Sequence, residues 1–78
     1  MNEWLSRRAD ALADVTGLDR EALELAPQEI QSLLDVAAFA AHEGGARTNA
    51  PLVCYLLGVS RSSRKSIDEL AEIVRSTS

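Results

Sequence analysis

The sequence predicts an all-α fold, a compact bundle of about four helices with a short extra turn between the first two. Three observations point there. Ala and Leu dominate a composition that is 46% hydrophobic but only 4% aromatic, which favours helices over strands. Apolar residues recur at three- and four-residue spacing along most of the chain. Both prolines, Pro27 and Pro51, fall at segment boundaries, where the first turn of a helix accepts them. At 78 residues the chain is read as one domain spanning 1–78, with the marginal core of a chain that buries about 60% of its unfolded surface.

The first helix is expected over 3–16. Asn2 is placed to cap it, and Trp4, Leu5, Arg8, Leu12 and Val15 share one helical face beside Ala9. Gly17 follows as the residue that enters the left-handed conformation at little cost. In residues 18–26, Asp19 starts one short turn that holds Leu23 and Leu25 inward. Pro27, Gln28 and Glu29 then open a second helix. Its stripe is Ile30, Leu33, Leu34, Ala37 and Ala41, widened by Val36 and Ala40, with Phe39 nearly opposite Ile30, and Gly44-Gly45 stops it.

Pro51 marks the first turn of a third helix reaching about Val59. This helix is apolar all round, through Leu52, Val53, Cys54, Tyr55, Leu56 and Leu57. A serine-rich basic stretch, residues 60–65, follows. Ser66 and Glu69 then form a capping box, each satisfying one end-of-helix amide. The last helix runs to about Ser76 on Ile67, Leu70, Ala71, Ile73 and Val74.

Charge and residue inventory narrow the function. A net charge of −4 repels nucleic acid and anionic membrane alike. The lone cysteine, Cys54, has no partner for an internal disulfide. The first ten residues carry four charges and no apolar run, and the longest apolar run, 50–57, falls far short of the roughly 18 residues a membrane span needs. The expected location is the cytoplasm.

Cys54 reads as a core thiol, raised in pKa by burial and inert. His42 reads as a cation favoured at a helix C-terminus. Neither has the companions a catalytic or metal site requires, so the expectation is no enzyme, no cofactor and no metal. Arg47 and Asn49, ahead of a helix N-terminus, are the weak candidates for an anion site.

Two features bear on partners. The second and third helices carry more apolar girth than a small domain encloses, so part of it, with Trp4, Phe39 or Tyr55, is expected to meet another chain, either a second copy or an enzyme. Separately, residues 56–67 resemble the turn and recognition helix of bacterial helix-turn-helix repressors, with Gly58 as turn glycine and Arg61, Arg64 and Lys65 available to phosphates or bases. Against that reading, Arg64 stands where the motif packs an apolar side chain, and the capping box starts a helix at Ser66. A small DNA-binding regulator is therefore the second choice.

The pattern Ala41-His42, Arg47, Ala50-Pro51-Leu52, Leu56-Leu57-Gly58, with Trp4-Leu5 and Gly17-Leu18 upstream, resembles a small actinobacterial domain family of unknown function. Here Thr48-Asn49 replaces its usual Pro and Ala, and residues 60–65 replace an Ala- and Gly-rich segment. Members of that family occur beside, or fused to, MobA-like nucleotidyltransferases that attach guanylate to molybdopterin. What the resemblance implies is an accessory, non-catalytic part in molybdenum-cofactor biosynthesis.

Overall fold

A computed structural model describes residues 1–77. Its helices are α1 (Glu3–Thr16), α2 (Pro27–Glu43), α3 (Asn49–Ser60) and α4 (Ile67–Ser76), with 3-10 turns at Arg20–Leu23 and Arg61–Ser63. No strand occurs among the described residues. The fold is all-α with four helices and the expected extra turn between the first two. The contacts group into two compact units, Met1–Ile30 and the remainder from Gln31.

In the first unit, α1 is closed at both ends as its sequence dictates. The Leu5 amide donates to Asn2 Oδ1 at 2.8 Å, and Gly17, at φ 75°, returns its N–H to the Ala13 carbonyl. Arg20 fastens the following turn to α1 by donating to Asp10 Oδ1 at 2.6 Å, and it also reaches Glu24 Oε1 at 2.9 Å. The hydrogen bond to Asp10 chiefly holds the guanidinium pKa above its ordinary value. Leu23 and Leu25 are half-buried. At the start of α2 the Ala26 amide donates to Glu29 Oε1 at 2.7 Å, a first-turn carboxylate satisfying an otherwise unpaired donor.

The covered face of α1 is the one that carries its small side chains. Ala9 is buried and Ser6 and Ala13 are half-buried, whereas Trp4, Leu5, Leu12 and Val15 are exposed. The reason lies in Arg8, which sits in the middle of the large apolar stripe and would lose its hydration if that stripe were enclosed. Its guanidinium lies over the Trp4 ring, 4.0 Å from the centroid, an exposed cation–π pair.

The second unit holds most of the core: Val36 and Ala40 of α2, Leu57 of α3, and Ile67, Leu70 and Ala71 of α4 are all buried. The three α4 residues follow the i, i+3, i+4 spacing that lays one stripe of a helix against its neighbours. The capping box is formed at Ser66, with the Glu69 amide donating to Ser66 Oγ and the Ser66 amide to Glu69 Oε1, both at 3.1 Å. The hydrogen bond donated by the Ser66 amide, followed by that from its side chain, lowers the Glu69 pKa. Ser32 of α2 donates its hydroxyl to the Asp68 carboxylate of α4.

The third helix begins at Asn49, two residues before the position expected from Pro51. Proline fits there because the first four amides of a helix have no intrahelical acceptor. The turn before α3 is tied by Asn49 Nδ2, which donates to the Gly44 carbonyl at 3.1 Å. A β-carbon on Gly44 would lie 2.4 Å from the Ala40 carbonyl oxygen and 2.6 Å from Asn49 Nδ2, so this close approach requires glycine. No helix among the described residues is long and apolar enough to cross a membrane.

Candidate functional site: an exposed apolar face on the third helix

All twelve residues of α3 are uncharged, from Asn49 to Ser60, so hydrophobicity alone does not say which side turns inward. The packing decides it. Leu57 is 2% exposed, and Ala50, Val53 and Cys54 are half-buried. On the other side Leu52, Tyr55, Leu56 and Val59 are 61%, 71%, 62% and 58% exposed. Their i, i+3, i+4, i+7 spacing makes them one continuous stripe. On a monomeric protein, a contiguous apolar surface of this kind marks an interaction site more often than isolated exposed residues do.

The stripe borders an open groove of about 570 Å³ within the same unit. Phe39 and Ala40 of α2, Leu52, Val53 and Leu56 of α3, and Val74 of α4 line it, with Glu43, Asn49 and Thr77 among the polar residues. Among the described residues Glu43 is its one charged lining residue. Those residues offer apolar contact and a single carboxylate, with no nucleophile paired to a base. Among the described residues no group of three or more His, Cys, Asp and Glu gathers where a metal ion could be held.

Of the residues singled out for an interface, Tyr55 lies at the centre of the α3 stripe, and Phe39 is half-buried against the groove. Trp4 is 62% exposed but belongs to α1, in the other unit. Leu34 is the one large α2 side chain of the expected surplus left exposed, so that surplus narrows mainly to α3. Leu52 and Leu56 belong to the apolar girth of the third helix expected to meet another chain, whereas Val59, Val74 and Glu43 carry no such expectation. The spacing that unites the α3 residues was present, but an all-apolar helix gives no polar side to orient it.

The basic residues Arg61, Arg64 and Lys65 are exposed in the turn between α3 and α4. Arg64 adopts φ 73°, the left-handed conformation that ends the 3-10 turn, and α4 begins three residues later behind the Ser66 cap. The serines nearby close the end of α3: Ser60 Oγ donates to the Leu56 carbonyl at 2.8 Å and Ser62 Oγ to that of Val59 at 3.2 Å. Of the two anion-site candidates, Asn49 has its amide engaged by Gly44, while Arg47 is exposed. Cys54 is half-buried with its sulfur 4.0 Å from the Leu33 carbonyl, and desolvation raises its pKa. His42 is exposed in the last turn of α2.

No curated protein and no solved structure matches this chain. Residues 1–78 match the family described as Domain of unknown function (DUF6457), and the chain belongs to that family.

Proposed function

We propose that this chain is a non-catalytic protein-interaction or accessory domain that works in the cytoplasm, with the exposed face of α3 as its binding surface. The observation that carries this reading is the uncharged stripe of Leu52, Tyr55, Leu56 and Val59, each more than half exposed on one face of a helix. Burial of such side chains gains roughly 25 cal/mol for each Å² of apolar area, and the flanking groove supplies further apolar surface. The resemblance in 41–58 to the actinobacterial family found with MobA-like nucleotidyltransferases supports a partner in molybdenum-cofactor assembly, with the chemistry resident in that enzyme.

Light scattering across micromolar concentrations, with titration of a purified MobA-like nucleotidyltransferase, tests the reading. The expected result is association with itself or with the enzyme, weakened at least about tenfold by Leu56→Glu. A chain that stays monomeric and leaves the enzyme unbound overturns it. Binding of mixed duplex DNA at low salt, fading steeply as salt rises, would instead favour a small regulator acting through the exposed Arg61, Arg64 and Lys65.

A further inference from the structure

We propose that the occupant of the α3 face is a second copy of this chain, packed about a two-fold axis with the two α3 helices antiparallel and Tyr55 beside its symmetry mate. This rests on the reading of α3 as an interaction face and names what covers it.

Self-packing asks a surface to be complementary to itself. A charged face fails that test, because each copy brings like charge against like. The α3 face passes it, since no residue from Asn49 to Ser60 carries charge. Leu52, Tyr55, Leu56 and Val59 are distributed evenly about a point between Tyr55 and Leu56. A two-fold axis through that point sets Leu52 of each copy opposite Val59 of the other. On the flank of the stripe, a β-carbon at Gly58 would meet nothing within 4 Å, so no side chain of the same copy fills that position.

Charge at the helix ends selects the direction. Arg64 and Lys65 follow α3 with no acidic residue among 60–66, whereas Glu43 and Arg47 precede α3 and together add no net charge there, though they do not pair with each other. A parallel pair would bring Arg64 and Lys65 of both copies together at one end. An antiparallel pair separates the two basic turns by the length of α3, about 18 Å at 1.5 Å per residue, well beyond the screening length of about 8 Å at physiological salt. It also sets each basic turn near the other copy's Glu43, which has no ion pair within its own chain among the described residues.

Sedimentation equilibrium of the full chain from about 1 to about 500 µM is the test, using wild type, Tyr55→Glu, Tyr55→Lys and an equimolar mixture of the two variants. The wild type is expected to dimerise. Each variant alone is expected to weaken the dimer at least about tenfold, and the mixture to recover it as a dimer of unlike chains. Val59→Gln, which removes apolar area without adding charge, is expected to weaken it in the same direction, and circular dichroism checks that helicity is kept. A monomeric wild type, variants that dimerise as well as wild type, or a mixture that fails to reassociate overturns the proposal. If the wild type is monomeric yet Tyr55→Glu abolishes binding of the nucleotidyltransferase, the α3 face is an interface and only its self-pairing fails. If the wild type binds neither itself nor the enzyme, both readings fall.

Discussion

Helices α3 and α4 are neighbours in one unit and resolve the same problem in opposite ways. The ten residues of α4 carry a buried stripe of Ile67, Leu70 and Ala71, an outer face that is polar but for the exposed Ile73, and a complete capping box. The twelve residues of α3 are far more apolar, yet the one residue they bury fully is Leu57, and no side chain caps their start. Hydrophobic content therefore does not track contribution to the core. The more polar helix gives its unit three buried core residues, and the more apolar one leaves four large side chains in water.

The largest expected effect separates the two sides of α3. Leu57→Ala removes a side chain that is 2% exposed and should destabilise the protein by about 2–5 kcal/mol in urea unfolding, the range for a buried leucine that leaves a cavity. A loss below about 1 kcal/mol would mean that α3 is not seated through Leu57 at all.

Next comes the turn that delivers α3. Gly44→Ala drives a β-carbon against the Ala40 carbonyl and the Asn49 amide, and either the turn shifts or the hydrogen bond from Asn49 breaks. The expected cost is about 1–3 kcal/mol, as for other overpacked sites, read from thermal melts. A neutral substitution would show that the turn yields freely.

A smaller effect belongs to the cap of α4. Ser66→Ala should cost about 1 kcal/mol. The same cap has a pH signature, because Glu69 is held below its ordinary pKa chiefly by the Ser66 amide hydrogen bond. A group whose pKa is depressed on folding stabilises the fold above its unfolded pKa, and that contribution disappears as pH falls through the folded value. Glu69→Gln should therefore lose stability at neutral pH and converge on wild type in acid. A constant difference across the acid range would contradict the cap's charge dependence.

Much of this architecture is legible in the residues. Asn2 and Gly17 bracket α1 and the Ser66–Glu69 box opens α4, each through a local bond that the sequence itself names, while Asp19 precedes the 3-10 turn and Pro27 opens α2 by backbone preference alone. What escapes is orientation. On α1 the face shared by Trp4, Leu5, Arg8, Leu12 and Val15 is legible, but which side is covered is not: Arg8 in its midst keeps that stripe in water and the small side with Ala9 is covered. On α3 no charged residue distinguishes in from out, so the exposed stripe emerges only from packing. The groove residues Phe39, Leu52 and Val74 come from three helices, and that convergence leaves no local signal. Pro51 misplaces the start of α3 because proline is compatible with any position in a first turn.

Urea unfolding of a Leu52→Gln/Leu56→Gln double variant, at a protein concentration dilute enough to keep the wild type monomeric, tests most directly whether the α3 face is surface held for a partner. Both leucines are more than 60% exposed, so the stability of the lone chain should change by no more than about 0.5 kcal/mol per substitution. A loss of several kcal/mol, comparable to that of Leu57→Ala, would place these leucines in the protein's own core and contradict the reading of α3 as a binding face.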